Sequence, residues 1–268
     1  MTLDHQIGRR DFVRLITLGT AGTALYPSTL IAQQQTRTPP IQTIIVPPGR
    51  WVDGNHGFIT IAQAGRYQAD VVTGEELTGI KDYFETTQWV RDKTGAYVCF
   101  NGSLFRNKDA ASGLEVHNGQ EKMPYVQSVG DGVLFTDKNG QIHIIPIDIF
   151  MKDFKIRDGQ YRVNDALQLN LLHYNGQRLY AENENDIKIP RNLIGLTKDG
   201  DLVDIVFKNT NFTLGDRYMR QQHRCVIVGA LDGDTSASAF DIKRQSSYIA
   251  GIDRPEIKVP NFVILYTK

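Results

Sequence analysis

Short apolar runs separated by turn signals are the feature that most constrains the fold of this chain. The turn signals are Lys138-Asn139-Gly140, Asn175-Gly176 and Lys198-Asp199-Gly200. Asn-Gly and Asp-Gly pairs between apolar runs are typical of β-hairpins, so two of these turns predict hairpins. The β-like runs span residues 41–46, 57–62, 96–100, 132–136, 141–146, 193–197, 202–207, 224–231 and 261–266.

Helical spacing is found in far fewer places. Residues 78–93 carry apolar side chains at near-helical spacing and are followed by Gly95, which predicts a helix. Residues 214–223 predict a second helix, directly before the apolar run at 224–231. Many strands with few helices predict an α+β fold, with a mixed, mostly antiparallel sheet and a few flanking helices in a single domain.

The composition of the chain argues against a nucleic-acid partner. The chain has 268 residues, of which 41% are apolar, and it balances 30 Lys and Arg against 30 Asp and Glu. A formal net charge of zero and the lack of a basic run with interleaved aromatic residues argue against a nucleic-acid partner. The length after removal of a leader allows one large domain or two small ones.

The N-terminal segment has the features of an export signal. Arg9 and Arg10 are followed by Phe12, Arg14 and a short apolar stretch, in the order typical of a twin-arginine leader. We therefore expect residues 1–32 to engage the twin-arginine translocase and to direct the chain to the periplasm or the cell exterior. The other interpretations are a basic N-terminus with a chance arginine pair, or an uncleaved anchor; a cleaved leader leaves no stable membrane insertion.

Residues 33–40 have the composition of a flexible linker, and residues 41–268 are predicted to form the domain. This domain contains both cysteines, Cys99 and Cys225, each inside an apolar run. We interpret them as small buried hydrophobic residues, because a disulfide between two strand centres requires a narrow spacing. A disulfide in an oxidising periplasm is the alternative.

Polar motifs follow or open three of the predicted strands. Asn101-Gly102-Ser103 follows the run at 96–100, where an amide can face a ligand and a glycine permits close approach of the chain. Arg191 lies behind Pro190 at the start of a strand, and its planar guanidinium can grip a phosphate or a carboxylate. An ordinary turn and a surface arginine are the alternatives.

The segment Asp232-Gly233-Asp234-Thr235-Ser236, directly after the run at 224–231, carries the densest set of reactive groups. Carboxylates two residues apart can share a proton, bind a divalent cation, or divide into a nucleophile and a group that orients it. A turn rich in Asp that caps the next segment is the alternative. The six histidines are scattered singly and predict no metal site.

In this order, the motifs resemble those of the phosphodiester glycosidase family. The resemblance extends from about residue 90 to the end of the chain, and Ser103, Leu171 and Asp234 depart from the family's usual glycine, proline and glycine. The matching segments are Asn101-Gly102-Ser103-Leu104-Phe105, Gly113-Leu114 with Asn118-Gly119, residues 168–172 with Asn175-Gly176, Pro190-Arg191 with Ile194-Gly195, Leu231 to Ser236, and Val259-Pro260-Asn261.

The resemblance implies an exported hydrolase that cleaves a glycosidic bond in a sugar phosphodiester or related envelope glycan. Asp232 would be the main catalytic carboxylate, with Asp234 or Glu115 as the second carboxyl that such reactions usually need. The substrate would be bound by the residues Asn101, Gly102, Arg191, Gly233 and Ser236.

Two other functions are compatible with the same residues. One is a non-catalytic module that binds envelope polysaccharide. The other is a metal-dependent phosphodiesterase with Ca²⁺ or Mg²⁺ between Asp232 and Asp234, although no cofactor is required by the sequence.

Overall fold

Antiparallel strands make up most of the chain in the computed structural model, which describes residues 38–46, 57–81, 83–103, 105–106, 110–232, 238–241, 246–249 and 258–268. In chain order the strands are β1 Ile41–Val46, β2 Gly57–Ala62, β3 Tyr67–Thr73, β4 Val98–Asn101, β5 Phe105–Arg106, β6 Ala110–Ala111, β7 Glu115–His117, β8 Gln120–Met123, β9 Gly132–Thr136, β10 Ile142–Pro146, β11 Lys155–Arg157, β12 Gln160–Tyr161, β13 Ala166–Tyr174, β14 Gln177–Arg178, β15 Ile189–Thr197, β16 Leu202–Thr210, β17 Cys225–Ala230, β18 Ser238–Asp241, β19 Ser246–Ile249 and β20 Asn261–Thr267.

These strands form two main sheets. The large sheet has the order β1-β2-β16-β15-β17-β13-β7-β8-β12-β11, with β9 and β14 also pairing with β13 and β10 pairing with β9. The small sheet has the order β19-β18-β4-β20-β3, and β5 and β6 form a separate two-stranded ribbon. All the pairs among the described strands are antiparallel, including the predicted hairpins β9–β10 and β15–β16. Strands β13 and β14 form a further hairpin at Asn175-Gly176.

Four helices lie among the described residues: α1 Gly74–Thr78, α2 Thr87–Thr94, α3 Ile147–Phe154 and α4 Phe212–His223. The single helix expected over residues 78–93 is wrong. Helix α1 ends where Gly79 adopts the left-handed conformation, and α2 begins only after Thr86, whose side chain accepts a hydrogen bond from the Trp89 amide. The helix expected at 214–223 corresponds to α4.

The main hydrophobic core lies between the two sheets. It combines Val263 and Leu265 of β20 with residues of the large sheet such as Ile194 and Val206. The alternate residues of β20, Phe262 and Ile264, face the other way and pack with α2. Helix α4 covers the outer face of the large sheet, where a second cluster contains Leu193, Val228 and Met219. The molecule is thus layered as helix, sheet, sheet, helix.

The expectation of an α+β fold with mostly antiparallel strands is confirmed.

Residues from Pro39 onward form one compact unit, whereas the predicted leader at 1–32 lies outside the described residues. Cys99 and Cys225 are buried in different hydrophobic clusters, and neither belongs to a disulfide. The helices of the described residues are too short or too polar for any of them to cross a membrane.

Candidate functional site

A buried amide pair joins the two sheets where β4, β15 and β17 meet. Asn101, the last residue of β4, and Asn192 of β15 are both inaccessible to solvent. Nδ2 of Asn192 donates to Oδ1 of Asn101 over 2.9 Å, and Nδ2 of Asn101 donates to the carbonyl of Asp232 over 2.9 Å. Strands β4 and β15 thus place their amide side chains beside the residues that follow β17. These hydrogen bonds connect the small sheet to the segment that carries Asp232.

The backbone of Asp232 is held from both sides. Its amide donates to the carbonyl of Gly102 over 3.0 Å, while its carbonyl accepts the Asn101 side chain. Asp232 keeps only 8% of its surface exposed. Gly102 itself packs so closely that a Cβ would come within 2.2 Å of Oδ1 of Asn261, so a side chain at position 102 would displace Asn261.

Arg191 lies at the same end of the β15–β17 pair as Asp232. The neighbouring residue, Asn192, accepts a backbone hydrogen bond from Leu231 over 3.0 Å, which sets this register. The guanidinium of Arg191 sits 4.1 Å from the centre of the Phe212 ring, at the start of α4. A cation over an aromatic face is attracted by the ring quadrupole, so Phe212 restricts where the guanidinium can lie.

A second polar bridge between the sheets runs beside the first. Asn261, the first residue of β20, accepts from the Gly102 amide at its carbonyl over 3.0 Å and from the Ser103 amide at Oδ1 over 2.8 Å. Its Nδ2 donates to Oε2 of Glu115 in β7 over 2.8 Å and to Oγ of Ser103 over 3.1 Å. Asn261 therefore connects the turn after β4 to the carboxylate of Glu115.

Beyond Glu115 the network ends in a histidine surrounded by carboxylates. Nε2 of His117 lies 3.1 Å from Oε1 of Glu115, and Nδ1 lies 3.3 Å from Oδ1 of Asp165 and 3.3 Å from Oε2 of Glu76. Burial opposes protonation of the ring, but the hydrogen bonds to Asp165 and Glu115 outweigh it and raise the pKa of His117 to about 10. His117 is therefore an imidazolium at neutral pH.

The same residues include a donor set with the spacing of a metal site. One ligand atom each from Glu76, His117 and Asp165 lie within 4.8 Å of one another. Asp70 is not part of this set, but it is a neighbour of Asp165, and burial and that second carboxyl raise the pKa of Asp70 to about 6. Imidazole and carboxylates are ligands that suit several divalent ions, but a cation bound here would have to replace the proton on the coordinating nitrogen of His117, because an imidazolium has no free lone pair. This set is distinct from the cation site predicted between Asp232 and Asp234. Asp234 lies outside the described residues.

Of the eight site residues chosen from the sequence, five lie among the described residues. Asn101, Gly102 and Asp232 are in direct contact, and Glu115 is linked to them through Asn261. Arg191 is the chain neighbour of Asn192, and its guanidinium lies on the Phe212 ring. The predicted residues Gly233, Asp234 and Ser236 lie outside the described residues.

Several residues of this network were not chosen as site residues, among them Asn192, Asn261 and His117. Asn192 and Asn261 each sit inside a motif that was noted for its neighbours, Pro190-Arg191 and Val259-Pro260. A buried Asn at the start of an apolar strand was the available signal, because such an amide needs a polar partner in the core. His117, isolated among the scattered histidines, carried no comparable signal.

Comparisons with known proteins connect this geometry to a fold. No protein-family model matches the chain, and no curated protein matches it in sequence. Among solved structures, it is similar to the catalytic domain of zebrafish N-acetylglucosamine-1-phosphodiester alpha-N-acetylglucosaminidase, auto-inhibited by its pro-peptide. That match has a TM-score of 0.62 and 13% identity, covering 87% of this chain and 85% of the zebrafish chain.

A second similar structure is a protein from Burkholderia pseudomallei described as exported. It matches with a TM-score of 0.50 and 9% identity over 79% of this chain and 74% of the other. At these identities the likeness shows a shared fold. The family resemblance carried by the motifs is therefore supported at the level of the fold.

Proposed function

We propose that this chain is a hydrolase that cleaves the glycosidic bond of a sugar phosphodiester. The observation that carries the proposal is the convergence of Asn101, Asn192 and Asp232, which come from three strands of two sheets and are buried at one point. Buried polar side chains that fix the backbone of a carboxyl-bearing residue give the kind of preorganised arrangement that active sites require. The fold shared with a sugar-phosphodiester glycosidase domain supports the same reaction class.

In this proposal Asp232 is the catalytic carboxylate and Arg191 binds the phosphate. The bond between the anomeric carbon and the phosphate oxygen breaks, and its electron pair stays on that oxygen. Water supplies the new hydroxyl of the sugar, and its second proton passes to solvent or to the released phosphate monoester. The negative charge that develops on the phosphate would be stabilised by the guanidinium of Arg191, because arginine can donate two parallel hydrogen bonds to a phosphate. This stabilisation makes the phosphate a good leaving group. Asp234 and Glu115 remain the candidates for a second carboxyl.

Asn101 has a different role in the proposal from the one expected. Its Nδ2 donates to the Asp232 carbonyl and its Oδ1 accepts from Asn192, and the residue is fully buried. We therefore assign it to holding Asp232 in place. The Oδ1 atom of Asn192 is buried and has no hydrogen-bond partner, which is uncommon for a polar group in a native protein.

The test is hydrolysis of a panel of sugar-1-phosphodiesters by the full chain, with and without added Ca²⁺ or Mg²⁺. We expect turnover in the wild type, and losses of about 10³-fold in kcat for Asp232→Asn and of about 10²-fold in kcat/KM for Arg191→Gln. Asp199→Asn, an exposed turn substitution with the same chemistry, is the matched control and should keep wild-type activity.

The other outcomes separate the alternative functions. Undiminished turnover in both Asp232→Asn and Arg191→Gln contradicts the assigned roles. Saturable glycan binding without turnover identifies a polysaccharide-binding module instead. Cleavage that requires a divalent cation and disappears with a chelator identifies a metal-dependent phosphodiesterase.

We also propose that residues 1–32 direct export by the twin-arginine route. The likeness to a protein described as exported supports export, and the proposed route depends on the arginine pair of the sequence alone. Fusing residues 1–32 to a reporter protein tests this in bacteria with and without the translocase. We expect translocase-dependent export that Arg9→Lys combined with Arg10→Lys abolishes. Export that persists in the double variant contradicts the proposal.

A further inference from the structure

The carboxylate of Glu115 is already fully engaged inside the protein. Oε2 accepts a hydrogen bond from Nδ2 of Asn261 over 2.8 Å, and Oε1 faces Nε2 of His117 at 3.1 Å. The residue is only 6% exposed. A carboxylate with a donor on each oxygen and little access to solvent is well placed to orient its donors, and poorly placed to reach a substrate.

The orientation of the Asn261 amide depends on that carboxylate. With Nδ2 turned toward Glu115, Oδ1 points the other way and accepts the Ser103 amide over 2.8 Å. The backbone of Asn261 accepts the Gly102 amide over 3.0 Å, and the Gly102 carbonyl in turn accepts the amide of Asp232 over 3.0 Å. An unbroken line of hydrogen bonds therefore leads from Glu115 to Asp232.

The far side of Glu115 is fixed by charge. Nδ1 of His117 lies 3.3 Å from both Asp165 and Glu76, so both ring nitrogens face carboxylate oxygens. A ring that meets acceptors on both sides must donate from both nitrogens, which makes it the imidazolium. Charge-assisted hydrogen bonds are roughly twice as strong as neutral ones, so Glu115 is held firmly between His117 and Asn261.

We propose that Glu115 is a positioning residue, which with His117 and Asn261 fixes the turn at residues 101–103 and through it Asp232. The proposal rests on the proposed function, because it assigns Asp232 to the reaction. It also removes Glu115 from the role of second catalytic carboxyl. Among the described residues, the hydrogen bond to Asn261 is the contact by which Glu115 acts on the turn at residues 101–103.

The polarity of the Glu115–Asn261 contact allows a swap experiment in the full chain. Glu115→Gln replaces one of the two carboxylate oxygens with an NH₂ group. Either His117 or Asn261 then loses the acceptor of its hydrogen bond. Asn261→Asp places a second carboxylate against Glu115. The double variant restores both contacts, since the introduced amide can donate to the introduced carboxylate while the carbonyl of that amide accepts from His117. The number of carboxylates is the same in the double variant as in the wild type.

We expect each single variant to lower kcat for the sugar phosphodiester by about ten-fold or more, with a smaller change in KM. Each should also speed amide hydrogen exchange at Gly102 and Asp232, measured relative to Val263 in the middle of β20. The double variant should recover most of both losses. Glu184→Gln, at an exposed glutamate, is the matched control and should leave kcat and exchange unchanged.

Two results would overturn the proposal. One is a double variant that regains slow exchange but stays as inactive as Glu115→Gln, because the carboxylate of Glu115 would then act on the reacting atoms. The other is unchanged exchange at Gly102 and Asp232 in both single variants. The exchange measurement needs no substrate, so it decides the proposal even where the wild type hydrolyses nothing, an outcome that contradicts only the proposed function. Ser103→Ala, a milder change to the same network, replaces any single variant that does not fold and should give smaller losses of the same kind.

Discussion

Asp204 lies in an unusual environment for an ionisable side chain. It lies in the middle of β16, is fully buried, and both of its carboxylate oxygens are without hydrogen-bond partners. Its partner across the strand pair is Thr60, whose hydroxyl oxygen is also buried and without a partner. Burial raises the pKa of Asp204 well above its usual range, because an ionised carboxylate is poorly solvated in the core.

Replacing Asp204 by Asn should therefore stabilise the protein at neutral pH. Above the pKa of about 3.9 for an unfolded Asp, the unfolded chain releases the proton while the native state keeps it. The free energy of unfolding of the wild type then falls as pH rises, by up to about 1.4 kcal/mol per pH unit until the native pKa is reached. Urea unfolding at pH 4, 6 and 8 should show Asp204→Asn gaining on the wild type with each step.

The exposed substitution Asp199→Asn provides the control for this series and should follow the wild type at every pH. A constant difference between Asp204→Asn and the wild type from pH 4 to pH 8 would mean that Asp204 does not titrate abnormally.

His117 gives a pH dependence in a different window. Its pKa is raised from 6.5 to about 10, despite burial, by Asp165 and Glu115. A raised histidine pKa contributes stability that is fully present below pH 6.5 and is lost as pH rises through about 10. We expect His117→Gln to remove this part of the fall in the free energy of unfolding between pH 7 and pH 10, measured by urea unfolding. Equal slopes for the two proteins in that range would show that the ring is neutral in the native state.

At the scale of elements, the sequence predicted the hairpin turns, but it did not predict a strand that contains buried polar side chains. Asn139-Gly140 and Asp199-Gly200 mark hairpins because their backbone conformations suit those turns, and both hairpins are present. Strand β13 was not predicted as a strand, since Gln168 and Asn170 interrupt its apolar pattern. Gln168 is nonetheless fully buried, with its side chain bonded to backbone groups of distant loops, and sequence pattern cannot show such partners.

The residues of the candidate site also differ in whether the sequence could predict them. The motifs at Asn101, Arg191 and Asp232 were visible because each combines a turn or strand end with a functional side chain. The role of Asn261 depends on β20 pairing with β4 in the small sheet, so it follows from tertiary structure alone. The break between α1 and α2 was hidden because the apolar spacing continues across Gly79, whose left-handed conformation ends the first helix.

Asn211 connects helix α4 to the loop before β15, and its loss should be costly. Its Oδ1 accepts from the Leu214 amide over 2.9 Å as the N-cap, and its Nδ2 donates to the carbonyls of Glu184 and Asp186 over 3.0 and 3.3 Å. We expect Asn211→Ala to lower the free energy of unfolding by about 2 to 3 kcal/mol, since the cap and two buried contacts are lost together.

The variant Asn211→Asp keeps the capping oxygen but loses both donors, so its stability should lie between those of the wild type and Asn211→Ala. Urea unfolding measures all three. An Asn211→Ala protein as stable as the wild type would show that solvent replaces these contacts at no cost.

At the scale of the whole molecule, the two sheets are joined in two different ways. An apolar core fills most of the space between them, whereas polar side chains cross from one sheet to the other near the ends of β4, β15 and β17. Apolar packing tolerates small shifts, but hydrogen bonds between Asn101, Asn192 and Asp232 fix distances and directions. The arrangement fixes the backbone of Asp232 at the junction of the sheets, and the proposed glycoside hydrolysis requires a carboxyl group held at this place.

The most direct test of that claim is the position of bond cleavage, determined by hydrolysis of a sugar-1-phosphodiester in ¹⁸O-labelled water. The phosphorus NMR signal of the phosphate monoester product reports whether it carries the heavy isotope. Glycosidic cleavage puts the oxygen of water on the sugar carbon, so we predict a phosphate product with no label. A labelled phosphate would show attack at phosphorus and would contradict the assignment of this protein as a glycosidase.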